Sequence, residues 1–203
     1  MTFSLCVYCG SRDGLEPAHL AAAREVGREI GRRGWRLVYG GGHTGLMGAV
    51  ADAALAAGAK VIGIIPDRLI ERELGHGGVT ELQVVGSMHE RKHKMAEQSD
   101  AFVALPGGIG TMEEIFEIWT WRQLGYHSKS LGLLNVGGYY DDLLRFIDRS
   151  QDSGFLWPDV QALLQVDTDI NRLLDNLATE AATLKAQTPP DQLTGPGGVA
   201  PGT

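Results

Sequence analysis

The sequence predicts an α/β protein built on a doubly wound, mostly parallel sheet with helices on both faces. Three observations lead there. Short apolar runs alternate with stretches of helical periodicity. Most of the runs are apolar throughout rather than alternating with polar residues, as strands covered on both faces must be. Glycine-rich turns stand where two of the runs pass into helical stretches, as expected of successive β–α units.

Strands are expected at 5–9, 36–39, 60–65, 82–85, 101–105 and 131–135, each too short for a helix of ordinary length. Helical spacing fills 16–33, 45–57, 87–99, 111–124 and 139–153, and a last helix is expected over 168–185. Within 111–124, Ile115, Ile118 and Trp119 make one apolar stripe. Phe116 and Trp121 fit the same packing role, because aromatics at helical spacing pack more often than they stack on a ligand. One domain over 1–186 is expected. The segment 187–203 holds Pro189, Pro190, Gly195, Pro196, Gly197, Gly198, Pro201 and Gly202. It has too little apolar surface to offset its ordering entropy, so a disordered tail is expected.

The composition narrows the function classes. Hydrophobic residues make up 43% and charged residues 21% of 203, an ordinary globular balance. A net charge of −7 without a Lys/Arg stripe argues against nucleic acid or an anionic membrane as partner. The N-terminus has no basic segment and its apolar run breaks at Gly10, so no secretory leader is expected. No run reaches the ~18 apolar residues that cross a bilayer. The expected location is cytoplasmic. Cys6 and Cys9 form a CxxC, but both precede Gly10 in a strand-like run rather than opening a helix as in thiol oxidoreductases. Residues three apart in a strand face opposite sides, so two buried thiols are expected.

In doubly wound sheets, ligands bind beyond the carboxyl ends of the strands, where the strand order reverses. The turns at those ends are therefore the candidate site. Gly40-Gly41-Gly42-His43-Thr44-Gly45 matches G-x-G-x-x-G. Such a turn lets backbone N–H groups approach a phosphate at a helix N-terminus, and it also serves as a plain tight turn. Its place after the second strand is off-pattern for dinucleotide binding. The turn after the fifth strand is more specific: Pro106-Gly107-Gly108-Ile109-Gly110-Thr111-Met112-Glu113-Glu114. Thr111 is read there as an N-cap and hydroxyl donor. Glu113 and Glu114 are read in the first helical turn, where acids commonly complement the helix dipole. A carboxylate beside a bound sugar also stabilises an oxocarbenium-like centre or activates water. No Gly-Lys-Ser/Thr occurs, which excludes a Walker loop.

His89-Glu90-Arg91-Lys92-His93 satisfies H-E-x-x-H. A third ligand at the usual downstream spacing is missing, and Arg91 and Lys92 set cations beside the supposed metal, so no metal site is expected there. The two cations have other uses: on a helix leading to the fifth strand they reach a phosphate or base at the sheet's carboxyl edge, or they form a solvated face.

These segments resemble those of the LOG ("Lonely Guy") family of cytokinin riboside 5′-monophosphate phosphoribohydrolases. The likeness rests on Gly40–Gly45 continued through Leu46-Met47-Gly48, on Met88-His89-Glu90-Arg91-Lys92, and on the P-G-G-x-G-T-x-x-E block. It extends to Cys9-Gly10-Ser11, Gln98-Ser99-Asp100, Thr120-Trp121-Arg122 and Asn135-Val136-Gly137-Gly138-Tyr139-Tyr140, about residues 3–180 in all. The resemblance implies a Rossmann-like homodimer that hydrolyses an N6-substituted adenosine monophosphate to free base and ribose 5-phosphate, without metal or redox cofactor. It implies Arg91 and Glu114 as catalytic. It also implies nucleotide binding by Ser11, Gly41, Gly42, Thr44, Gly45, Met47, Arg91, Lys92, Gly107, Gly108, Ile109, Gly110, Thr111, Met112, Glu113 and Thr120, with Glu73 as a further substrate contact. His43 and the stretch 71–78 depart from the family's usual sequence. Two other functions fit the same residues: a broader nucleoside-monophosphate nucleosidase, and a nucleotide-binding protein without hydrolysis. The family's frequent label of lysine decarboxylase does not fit. Pyridoxal chemistry needs a Schiff-base lysine, and none of Lys60, Lys92, Lys94, Lys129 and Lys185 stands in such a setting.

Overall fold

A computed structural model describes residues 2–70 and 74–187. The expected tail from 188 onward lies outside the described residues, and so does Glu73. The chain runs β1 (Ser4–Tyr8), α1 (Pro17–Arg32), β2 (Arg36–Tyr39), α2 (Gly45–Ala56), β3 (Lys60–Pro66), β4 (Glu81–Val85), α3 (Met88–Glu97) and β5 (Ala101–Ala104). It continues through α4 (Ile109–Gln123), β6 (Ser130–Leu134), α5 (Asp141–Asp152), α6 (Pro158–Gln161), β7 (Leu164–Asp167) and α7 (Ile170–Gln187).

The strands form one seven-stranded sheet in the order β4-β3-β2-β1-β5-β6-β7. Every neighbouring pair is parallel. The expected α/β class with a parallel sheet therefore holds. Two elements were not anticipated. β7 is a half-buried edge strand that pairs with β6 alone, and its Leu164-Gln165-Val166-Asp167 has no continuous apolar run to announce it. The four-residue α6 is too short to show a period.

The core has two layers, one on each face of the sheet. Leu5 and Val7 of β1 point to the layer formed with α1, α2 and α7, together with Val26, Ile30, Val50 and Leu177. Cys6 and Tyr8 point to the layer formed with α3, α4, α5 and α6, together with Met95, Ile115, Trp119 and Ile147. All five residues of β1 are buried, because it has a strand on either side and helices above and below. Several polar groups inside find partners: Trp119 Nε1 donates to the Val160 carbonyl at 2.9 Å, and Ser130 Oγ donates to that of Leu177 at 2.7 Å, whereas the buried Tyr39 hydroxyl has none. α3 opens on a reciprocal cap. Ser87 Oγ accepts the Glu90 N–H at 3.1 Å, and the Glu90 carboxylate accepts the Gly86 N–H at 3.0 Å.

Leu5→Ala leaves a void in a fully buried strand and is expected to cost about 2–5 kcal/mol. Leu15→Ala, at a residue 98% exposed, is expected to cost under about 0.5 kcal/mol. Urea unfolding of both variants beside the parent chain measures the difference.

Candidate active site

The strand order reverses between β1 and β5: the chain first builds outward from β1 to β4, then returns to lay β5 on the other side. The turns that leave these two strands meet at the carboxyl edge. The Gly10 N–H donates to the Pro106 carbonyl at 3.1 Å. Tyr140 Oη donates to the Leu105 carbonyl at 2.6 Å, and Tyr139 Oη donates to that of Gly107 at 2.7 Å. A cleft of about 760 Å³ opens over this junction, where ligands of doubly wound sheets bind.

Arg91 lines the cleft from α3 and is 5% exposed. Its Nε donates to the Ile64 carbonyl in β3 at 3.1 Å, and Nη2 donates to the Gly40 carbonyl just past β2 at 2.9 Å. A buried guanidinium is tolerable only with such partners. They also fix its orientation before any ligand arrives. A Cβ on Gly40 would sit 2.0 Å from Nη2, so any side chain there would push the guanidinium out of its place.

Glu113 and Glu114 line the same cleft from α4. The negative charge of Glu114 is felt at the end of β1, where it adds to burial in pushing up the Cys6, Tyr8 and Cys9 protons. α4 begins at Ile109 with Gly108 as its N-cap. Thr111 is therefore not the cap expected from the sequence, and the glutamates follow the first turn rather than occupying it. Proline and two glycines before Ile109 gave no side-chain marker for the helix start. Thr111 is buried and packs on Gly107, where a Cβ would lie 2.1 Å from its Oγ1.

Of the residues expected at the site, the cleft gathers Ser11, Met47, Arg91, Gly107, Gly108, Ile109, Gly110, Thr111, Glu113 and Glu114. The others stand elsewhere. Gly41 and Gly42 turn toward the 75–76 stretch: the Gly41 carbonyl accepts the His76 N–H at 2.9 Å, and Gly42 bridges Gly75. Thr44 and Gly45 begin α2 beside the cleft, with Gly45 packed on the Ser11–Arg12 backbone. Lys92 is buried, its ammonium bound to Glu113 and, at 2.9 Å, to Glu117. Burial alone would lower the Lys92 pKa; the bonds to Glu113 and Glu117 outweigh it and raise it. Met112 is half-buried against the core layer of α4. Thr120 is exposed, and its hydroxyl donates to the Phe116 carbonyl at 2.7 Å. Glu73 lies outside the described residues.

Arg12, His19 and Tyr139 also line the cleft and were not singled out from the sequence. His19 meets the Tyr139 ring edge-on, with centroids 5.2 Å apart. Arg12 and Tyr139 follow the first and sixth strands, so their place at the carboxyl edge was the available signal. The H-E-x-x-H segment does not converge. His93 Nε2 lies 3.2 Å from Glu97, and Glu90 is engaged by Gly86 and Lys94.

A family model described as "possible lysine decarboxylase" matches residues 47–177. The cytokinin riboside 5′-monophosphate phosphoribohydrolase LOG7 of Arabidopsis thaliana is 51% identical over 154 residues, covering 76% of this chain and 71% of its own. The probable cytokinin riboside 5′-monophosphate phosphoribohydrolase LOGL9 of Oryza sativa subsp. japonica is 50% identical over 173 residues, or 85% of this chain and 76% of its own. The chain belongs to the LOG family. Among solved structures, the Moco carrier protein of Chlamydomonas reinhardtii has a TM-score of 0.68 at 22% identity, over 91% of this chain and 100% of that one, which speaks for the shared fold alone. The decarboxylase wording of the family model finds no chemical support in this LOG-family cleft. Among the described residues no lysine lines it.

The free cysteines sit where the sequence expected them, buried on opposite faces. Burial, with the charge of Glu114 added, pushes both thiols well above their ordinary range. At pH 8 both should stay unmodified by iodoacetamide over a time in which an exposed cysteine reacts fully. Mass spectrometry should show two adducts only after unfolding.

Proposed function

We infer that the protein hydrolyses the N-glycosidic bond of N6-substituted adenosine 5′-monophosphates to free base and ribose 5-phosphate. The observation that carries this is the convergence of Arg91 and Glu114 on one cleft at the strand-order reversal, beside a glycine turn that opens a helix. Relatives about half identical bear the name of that activity. The N–H groups of Gly108, Ile109 and Gly110, at the positive end of α4, suit the 5′-phosphate. Arg91 holds the substrate and offsets negative charge developing on the departing base. As the bond from C1′ to the base nitrogen breaks, the electron pair leaves with the base. Glu114 stabilises the cationic ribose and takes a proton from the water that attacks C1′; a proton passes to the departed base, through solvent in the open cleft, and the carboxylate is restored. The step needs no redox partner. Lys92 has a positioning role in this reading, holding Glu113 at the cleft wall.

The reading includes a cytoplasmic homodimer. Free buried thiols suit a reducing compartment. No helix among the described residues is long and apolar enough to cross a membrane. Thr120, Leu124 and Tyr126 are exposed around the end of α4, and Thr120 is not among the residues that line its own chain's cleft, which suits a surface covered by a second copy.

Purified protein incubated with N6-isopentenyl-AMP, AMP, GMP and CMP should release ribose 5-phosphate, fastest from the first. Comparable rates on all four would make it a broad nucleosidase, and binding without release would make it a carrier. Glu114→Gln should lower kcat by on the order of 10²-fold with little loss of nucleotide binding. Near-normal turnover in that variant would remove Glu114 from the chemistry.

A further inference from the structure

Away from the cleft, three metal-ligating side chains meet. His43, Asp52 and His76 each present one donor atom, and these atoms all lie within 4.8 Å of one another. His76 Nε2 is 3.0 Å from Asp52 Oδ1, and His43 Nε2 is 3.5 Å from Asp52 Oδ2. The two imidazole centroids are 4.1 Å apart. The three come from different places: the turn after β2, the middle of α2, and the stretch before β4. The backbone brings two of them together. The His43 N–H donates to the Leu74 carbonyl at 3.0 Å and the His76 N–H to that of Gly41 at 2.9 Å, on either side of the Gly42–Gly75 bridge.

Two imidazoles and one carboxylate are a donor set for divalent transition metals. Metal bonds of about 2.0–2.2 Å require ligand atoms roughly 3–4 Å apart, so a small closing movement completes the site. His76 is buried and supplies the fixed point, while His43 and Asp52 have exposed side chains free to adjust. Their exposure also leaves room for water at the remaining positions. Arg24, Arg28 and Arg32 line the groove beside Asp52, but Arg28 and Arg32 are paired with Glu25 and Glu29.

We propose that His43, Asp52 and His76 bind one divalent transition-metal ion of the zinc or nickel class, fastening the 74–76 stretch to the glycine turn after β2. His76 Nδ1 accepts the Gly78 N–H at 3.1 Å, so in the metal-free ring the proton sits on Nε2 and is donated to Asp52. An ion at Nε2 moves that proton to Nδ1 and ends the Gly78 bond. The Gly78 amide is therefore a reporter of loading.

The test uses the full chain without an affinity tag, stripped with chelator, dialysed, and titrated with Zn²⁺ and with Ni²⁺ by calorimetry and elemental analysis. One ion per chain is expected. His43→Ala and Asp52→Asn, both at exposed side chains and checked for folding by circular dichroism, should each bind at least about tenfold more weakly. His93→Ala, in the H-E-x-x-H segment, should bind as the parent does. Loading should also speed hydrogen exchange at the Gly78 amide. Absence of saturable binding, or parent-like binding by both His43→Ala and Asp52→Asn, overturns the proposal.

Discussion

The candidate site depends on one buried cation held by two strand ends. Arg91 reaches from α3 under the sheet's carboxyl edge to the carbonyls of Ile64 and Gly40. Leaving a guanidinium uncompensated in that position would cost roughly 3–5 kcal/mol. Its satisfaction therefore constrains its neighbours: the residue just past β2, Gly40, leaves no room for a side chain beside the guanidinium, and β2 and β3 must lie in register with α3 packed against them. Once those conditions hold, the arginine is oriented without help from a ligand. Preorganised charge of this kind is what a site needs to act on charge that develops during a reaction.

The strand-order reversal supplies the rest. Between β1 and β5 the connections leave in opposite directions, so among the described residues a cleft is left at the junction, lined by the turns on both sides. The Gly10–Pro106 hydrogen bond joins those turns into one floor, and Tyr139 and Tyr140 fasten the Leu105–Gly107 stretch from the sixth strand's side. Glu114 and Glu113 descend onto this floor from α4. Lys92 holds Glu113 from the α3 side, which couples the two helices that carry the charged groups. The cleft is thus assembled from the ends of several elements, each rigid for reasons of core packing.

Much of this was legible in the sequence because the relevant signals are local. Six fully or largely apolar runs and the intervening helical periods announced the parallel sheet, since burial on both faces leaves no room for polar alternation. The glycines at 107, 108 and 110 announced a turn that brings backbone close to a ligand. β7 escaped because an edge strand is half solvated and needs no apolar run. The Thr111 hydroxyl suits a cap as well as a packing role, so the residue type alone does not tell the two apart. The helix in fact starts earlier, and Thr111 fills the space beside Gly107 instead.

The sequence by itself determined the fold class, the carboxyl-edge location of the candidate site, and the residue types proposed for its chemistry, because each is written in contiguous residues. Tertiary structure alone decided which of those residues meet. It turned Arg91 into the cleft and Lys92 toward Glu113 and Glu117, although they are adjacent on one helix, because successive helical positions face about 100° apart. It left Thr120 on the outer surface, and it added Arg12, His19 and Tyr139 to the wall. It also brought His43, Asp52 and His76 together. Proximity across separate elements is set by strand register and helix packing, and no local pattern in a sequence encodes it.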